Sequence, residues 1–459
     1  MLVLTASAFF MTALDALVVA NALPQIEASL HMGFAGLQWT VNAYNIALAA
    51  GIICGATLGD RFGRRRMFVV GLLVFTAASA GCALAPSAAL LIGARTVQGL
   101  GGAMVIPISL TILTEAFPVE RRAAVIGAYG GLAGIAVALG PILGGLISEG
   151  IDWHWIFWVN VPIGLTAALL SARLLPETFG ASGRIDVPGV ALVTAGVVGV
   201  VWALVRADAS GWDSPEILAM LVLGIVALAA FVLWERWARE PMMPLRLLGV
   251  RSFAAGNAAA FMSWAAINVA AFLATQYFQF ALGYSPVETG IRLLPFFATP
   301  LVVAPIAGAV SQRVGLRPVI VLGLALLAAG IAGVALEAST RPSYPAIVIG
   351  LAVAGVGISM SLPTVPTAVL DAVSPEEMGT ASGVNNMLQR FGGVFGIAVG
   401  TAVFGARGGL GTPASFTDGF RPALGVAAAL AVCGALAALA LPGRARAEAP
   451  AGILVGEPR

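Results

Sequence analysis

The chain has 459 residues, of which 59% are hydrophobic and only 10% charged, with a net charge of +2 and a mean hydropathy of +0.96. A soluble domain carries about 25% charged residues, so a water-soluble globule is excluded, and arginines dispersed over loops do not make a nucleic-acid surface. Cys54, Cys82 and Cys433 lie far apart in or beside apolar runs, which argues against a disulfide framework, and no His, Cys and carboxylate grouping has metal-ligand spacing.

A helix needs about 20 mainly apolar residues to cross the hydrocarbon of a bilayer. That pattern recurs over roughly 2–23, 38–58, 67–85, 88–112, 123–148, 155–175, 187–206, 215–234, 253–282, 289–311, 317–337, 345–370, 379–405 and 421–441. The expected fold class is an all-α polytopic membrane protein with fourteen transmembrane helices. Ala20-Asn21-Ala22 resembles a signal-peptide cleavage site, but no Lys or Arg precedes the apolar run, so 2–23 is read as the first span.

The first span contains Asp15. A carboxylate there is costly and calls for a reason. It lies about 12 Å from the outer end of its span, and Arg95 in the antiparallel fourth span lies about 10 Å from the same end. The two opposite charges therefore share a depth, and direct contact or a joint polar network is expected. A carboxylate caught between burial and a neighbouring guanidinium can load and release a proton as its surroundings change. Proton coupling by Asp15 with Arg95 is the preferred role; a static ion pair that locks the helices is the other. Gln98 follows one turn after Arg95, in a stretch whose glycines allow close backbone approach.

Between the second and third spans stands Gly59-Asp60-Arg61-Phe62-Gly63-Arg64-Arg65-Arg66. Such a charge cluster belongs in water, in a tight turn with a membrane helix on each side. Asn42 and Asn45 lie in the second span. The fifth span has small residues at helical spacing (Gly127, Gly130, Gly131, Gly134, Ala138, Gly140, Gly144 and Gly145), with Pro141 offering a bend. This is read as a packing seam, either static or rocking during transport. In the ninth span Trp264, Asn268, Thr275 and Gln279 fall within about 60° on a helical wheel. In the thirteenth, Asn386 and Arg390 share a face. With Asn42, Asn45 and Gln98, the residues Trp264, Asn268, Gln279, Asn386 and Arg390 are the candidates for a substrate-cavity wall, interhelical hydrogen bonding being the alternative for each.

Arginine placement sets the expected orientation. With the amino terminus inside, the inside loops hold Arg61, Arg64, Arg65, Arg66, Arg121, Arg122, Arg173, Arg184, Arg236, Arg239, Arg246, Arg251, Arg313 and Arg317, and the tail adds Arg444 and Arg446. The outside loops hold Arg206, Arg341, Arg407 and Arg421. Both termini are thus expected in the cytoplasm. There is also an internal echo: Gly59-Asp60-Arg61-Phe62-Gly63-Arg64-Arg65 against Ser311-Gln312-Arg313-Val314-Gly315-Leu316-Arg317, each after the second span of a six-span group. Two repeated halves around a midplane site suit a secondary transporter. The expected division is 1–175 as an N-terminal six-helix bundle, 176–252 as two inserted helices with their connection, 253–441 as a C-terminal bundle and 442–459 as a flexible tail.

In combination these motifs resemble the major facilitator superfamily, and within it the fourteen-span drug:proton antiporters. Asp60 to Arg66 is similar to the superfamily's motif between spans two and three, with Ala56 where a Gly is usual. Leu14-Asp15 through Asn21-Ala22-Leu23-Pro24 resembles the first-span motif of the branch. Arg95 with Gln98-Gly99 resembles the fourth-span motif linked to proton transfer. Gly140-Pro141-Ile142-Leu143-Gly144-Gly145 resembles the fifth-span antiporter motif, with Ala136 where a Gly is usual. Trp153 to Phe157 with Asn160-Val161-Pro162-Ile163-Gly164 is similar to a stretch typical of the branch.

The resemblance implies a major-facilitator fold in the cytoplasmic membrane and export of a hydrophobic or amphipathic drug or antibiotic in exchange for protons. Gly59, Asp60, Arg61, Gly63, Arg64, Arg65 and Arg66 would form a cytoplasmic gate motif. No cofactor, no catalytic residue and no nucleic-acid partner is expected; the partners are the small molecule, protons and the bilayer, and a monomer is expected. The alternatives are a different small cargo (an endogenous metabolite, an amino acid or a metal-tetracycline complex) and, more remotely, a membrane sensor or intramembrane enzyme.

Overall fold

In lipid every backbone polar group must find its partner within the protein, and the chain meets that demand with helices, whose bonds close inside each segment. The structure is a computed structural model, and it describes residues 1–180, 186–238, 241–374 and 377–442, with the side chains of 114, 119–128, 130–131, 133–134, 137 and 208–209 outside the described set. The helices are α1 Leu2–Leu30, α2 Phe34–Phe62, α3 Arg64–Ala83, α4 Ala88–Ala116, α5 Val119–Gly150, α6 Trp155–Trp158, α7 Asn160–Leu174, α8 Val187–Ser210, α9 Pro215–Trp237, α10 Leu245–Leu248, α11 Arg251–Gln276, a π-helical turn Tyr277–Ala281, α12 Pro286–Arg292, α13 Leu294–Phe297, α14 Thr299–Val314, α15 Leu316–Glu337, α16 Tyr344–Leu370, α17 Met378–Gly405 and α18 Pro413–Ala438. No strand occurs among the described residues.

Thirteen spans among the described residues are long and apolar enough to cross a membrane. The further span expected at 123–148 falls within α5, a 32-residue helix. Several spans differ in detail from their expected form. The tenth, expected as one piece over 289–311, is α12, α13 and α14, with breaks at Leu293 and Ala298. Pro295 and Pro300 follow those breaks; lacking an N–H, each sits in the first turn of its helix, where none is needed. The last span begins at Pro413 rather than 421 and continues through Pro422. The first runs on through Pro24 to Leu30. The tail beyond Pro442, and the side chains of Arg121, Arg122, Arg184, Arg239, Arg444 and Arg446, lie outside the described residues.

The sequence echo has a structural counterpart. Gly63 and Gly315 each join two helices with positive φ, 103° and 95°. Each donates its N–H four residues back, Gly63 to the Gly59 carbonyl at 3.1 Å and Gly315 to the Ser311 carbonyl at 2.8 Å. Helix pairing repeats as well: α1 packs on α5 as α11 does on α17, α2 on α4 as α14 on α16, and α3 on α7 as α15 on α18. The helices α8 and α9 pair with each other, and α8 lies along both α2 and α17. The outer face of α9 carries exposed Leu218, Val222, Leu223, Ile225, Val226 and Leu233, as a helix facing lipid should.

Candidate functional site

Among the described residues, the most deeply buried charges meet inside the first bundle. Small residues let α4 press against α2: a Cβ on Gly99 would lie 2.4 Å from the Tyr44 carbonyl, and one on Gly55 would lie 2.3 Å from that of Ala103. Arg95 is thereby brought beneath α2, where its Nε donates to the Thr40 carbonyl at 3.2 Å. Its Nη1 reaches Asp15 Oδ2 at 2.5 Å, and its guanidinium lies 4.3 Å from the centre of the Tyr44 ring. Asp15 and Arg95 are 2% and 1% exposed.

The second carboxylate oxygen is equally engaged. Asp15 Oδ1 accepts from Asn160 Nδ2 at 2.8 Å and from Gln98 Nε2 at 2.9 Å. Gln98 also donates to Ser79 Oγ at 2.7 Å and accepts from Arg95 at 2.7 Å. Three N–H donors thus converge on the one carboxyl group. Gln98, expected on the cavity wall, is used up within this network. Asn160 and Ser79 were not singled out as site residues; both are small and uncharged, so nothing in composition marks them, although Asn160 lies in the stretch resembling the antiporter branch.

The second feature is a seam between the two bundles, where α1 and α5 meet α12 and the π-turn. Asn21 Nδ2 donates to the Pro141 carbonyl at 2.6 Å and to the Pro286 carbonyl at 2.9 Å. Gln279 Nε2 donates to the backbone and side-chain oxygens of Asn21, each at 2.9 Å. Gln279 lies within the π-turn Tyr277–Ala281, where the register departs from that of the α-helix carrying Trp264 and Asn268. Glycines set the closeness of the seam: a Cβ on Gly145 would lie 2.5 Å from the Pro286 carbonyl, and one on Gly290 would lie 2.5 Å from that of Pro141. Gly140 and Gly144 pack the same helix against Leu17 and Val18 of α1. The surroundings of Gly127, Gly130, Gly131 and Gly134 lie outside the described residues.

The charged turn is tied to its own bundle. Arg64 bonds Asp60 through Nε at 2.8 Å and pairs with Glu115 at the end of α4. Arg65 and Arg66 each stand 3.5 Å from Glu177, which also accepts the Arg65 backbone N–H at 2.9 Å. The segment after α7 lies against the turn, with Arg64 N–H on the Thr178 carbonyl at 2.9 Å and Gly180 N–H on the Asp60 carbonyl at 3.1 Å. Arg61 stacks over Phe62, and Gly59 abuts Ile108.

The other cavity candidates are placed as follows. Asn45, Asn268 and Asn386 each spend an amide N–H on their own helix, at 3.2, 2.9 and 2.9 Å. Asn42 is fully buried, and neither amide atom has a partner. Arg390 stands over the Trp264 ring, 5.5 Å from its centre. A cavity of about 50 Å³ lies between α11, α16 and α17, lined on its polar side by Ser263, Trp264, Ser361 and Gln389. No group of three His, Cys, Asp or Glu residues among those described is placed to hold a metal ion.

A profile described as Major Facilitator Superfamily matches residues 5–234 and 253–455. The chain is 36% identical over 407 residues to the multidrug resistance protein Stp of Mycobacterium tuberculosis, covering 88% of this chain and 75% of that one. It is 34% identical to the tetracenomycin C resistance and export protein of Streptomyces glaucescens (97% and 82% covered) and 35% identical to the cephamycin export protein of Amycolatopsis lactamdurans (98% and 93% covered). Among solved structures, a peptide transporter in complex with sulfate superposes with a TM-score of 0.70 at 15% identity, covering 96% of this chain and 93% of that one. A D-xylose-proton symporter superposes at 0.68 with 16% identity, covering 96% and 97%. At these identities the two structures speak for the fold alone.

Proposed function

The chain belongs to the major facilitator superfamily, is a multi-pass membrane transporter rather than an enzyme, and from that premise we propose that it is a proton-coupled exporter of hydrophobic or amphipathic drugs or antibiotics, of the fourteen-span branch. The relatives named for resistance and export support the direction and the class of cargo. The coupling rests on one observation: Asp15 and Arg95 are a buried ion pair on α1 and α4, and Asn21, six residues along α1, ties the inter-bundle seam. At 1.5 Å per residue the two points are about 9 Å apart on one helix.

In this reading a proton arriving at Asp15 takes an oxygen from Arg95, Gln98 or Asn160. The network loosens, α1 shifts, and the seam at Asn21 parts. Loss of the proton restores the ion pair and closes the seam. The exchange needs no cofactor: the proton binds to Asp15, and the cargo occupies the space between the bundles. With the arginine-rich loops inside and both termini cytoplasmic, the seam lies on the outer side in this reading. The charged turn at Asp60 to Arg66 acts as a cytoplasmic brace and makes no contact with cargo. Residues 1–175 and 253–441 are the moving units, with 176–252 between them.

The test is export by cells. Expressed in a host stripped of its own efflux pumps, the protein should lower accumulation of aromatic antibiotics and dyes, and a protonophore should restore it. Unchanged accumulation of the whole panel, or export indifferent to the protonophore, would contradict the proposal.

A further inference from the structure

The middle of α17 carries a cation that no carboxylate answers. Arg390 lies roughly 18 Å along a helix of about 42 Å, at mid-membrane depth. Among the described residues it forms no ion pair. Its own helix α17, and α11 and α16, which line the cavity beside Trp264 with it, contain no Asp or Glu anywhere in their lengths. On the facing bundle, Tyr44 lies in the fields of Asp15, Arg95 and Arg390 together. Arg95 is neutralised by Asp15; Arg390 leaves one positive charge over.

A charge inside a bilayer persists when it has a partner or a task. The surroundings of Arg390 are built to position rather than to neutralise. Gly392 and Gly396 bring α17 against α11, where added Cβ atoms would lie 2.3 and 2.2 Å from the Phe261 and Ala265 carbonyls. The close packing fixes Trp264 under the guanidinium. The same indole lines the small cavity that Ser263, Ser361 and Gln389 share. Asn268 and Asn386 each have an amide N–H tied to their own helix. A planar cation, an indole face and nearby hydroxyls and amides together match an ionised acid on an aromatic frame.

We propose that the cargo carries an acidic group, ionised in the site, beside an aromatic surface, and that Arg390 receives that group while Trp264 holds the ring. The proposal rests on the reading of the chain as an exporter and names its substrate class. The same charge disfavours lipophilic cations.

Three probes with one ring system and different charge test it: naphthoate, naphthylmethanol and naphthylmethylammonium. Their equilibrium binding is measured on the purified protein in lipid nanodiscs, with empty nanodiscs subtracted. Naphthoate should bind about tenfold more tightly than the alcohol, and the ammonium most weakly. Arg390→Gln should erase the preference for naphthoate while keeping the alcohol's affinity, which also reports that the variant is folded; Arg390→Lys should keep part of the preference. A parent that binds none of the three, binds them alike or favours the ammonium overturns the proposal, as does a preference that survives in Arg390→Gln. Binding is read without transport: a protein that exports cations under a proton gradient sinks this inference alone, and a naphthoate-selective protein without gradient-driven export sinks the transport reading alone.

Discussion

Gln279 and Asn21 join the two bundles through a pair of hydrogen bonds, both 2.9 Å, from one amide nitrogen to the backbone and side-chain oxygens of the other residue. Asn21 passes the link on to the carbonyls of Pro141 and Pro286. One side chain on α1 therefore holds three other segments, and the glycines beside it allow no extra volume.

The seam should open when that volume is added. Gly145→Val places side-chain atoms where the Pro286 carbonyl already sits. A cysteine introduced at Val287, in a background without Cys54, Cys82 and Cys433, should then react several-fold faster with a membrane-impermeant maleimide than it does with Gly145 intact. Equal rates would mean that the seam does not govern access at this end.

The buried pair should be expensive to break from one side only. Arg95→Ala leaves Asp15 charged without its cation, a loss of about 3–5 kcal/mol. Asn160→Ala removes a single hydrogen bond to the same carboxylate and should cost about 1–3 kcal/mol. Thermal unfolding of the purified protein should rank Arg95→Ala below Asn160→Ala, with Asp15→Asn combined with Arg95→Gln recovering much of the loss. Additive losses in the double variant would show that the two residues do not stabilise one another.

The repeated turns should be intolerant of a side chain. Gly63 and Gly315 adopt φ values of 103° and 95° that L-residues avoid. Alanine at either should cost on the order of 1–3 kcal/mol, and more at Gly63, where a Cβ would also lie 2.6 Å from Glu177. Melting temperatures of the two variants check this; a parent-like value at Gly63 contradicts it.

The segment after α7 should detach when its anchor is neutralised. Glu177 serves the Arg65 N–H and faces Arg65 and Arg66 at once. Glu177→Gln should speed hydrogen exchange at the Arg64 and Gly180 amides several-fold while leaving α1 and α4 protected. Unchanged exchange at Gly180 would show that the backbone bonds alone hold the segment.

The sequence made Asp15 and Arg95 conspicuous because each is a charge inside an apolar run, and helix rise alone set them at one depth. The glycine pair at the repeated turns was legible for a similar reason: Gly beside charge between two spans leaves few other geometries. What composition hides is the partner of a neutral group. Asn160 completes the carboxylate's shell and Ser79 accepts from Gln98 behind it, both from positions far along the chain, and Glu115 and Glu177 meet the arginine turn from 51 and 112 residues away. Gln279 turned toward Asn21 because a π-turn breaks the period that a helical wheel assumes. The tenth span's breaks at Leu293 and Ala298 were concealed because hydropathy averages over them, although Pro295 and Pro300 marked the place.

In the proposed cycle, protons act on the cargo through Asp15. The direct measurement is uptake of an aromatic dye into proteoliposomes under an imposed proton gradient, comparing the parent with Asp15→Asn at equal protein content and equal thermal stability. Gradient-driven accumulation is expected of the parent, and only gradient-independent equilibration of Asp15→Asn. Accumulation by Asp15→Asn at the parent's rate and to the parent's level would contradict it.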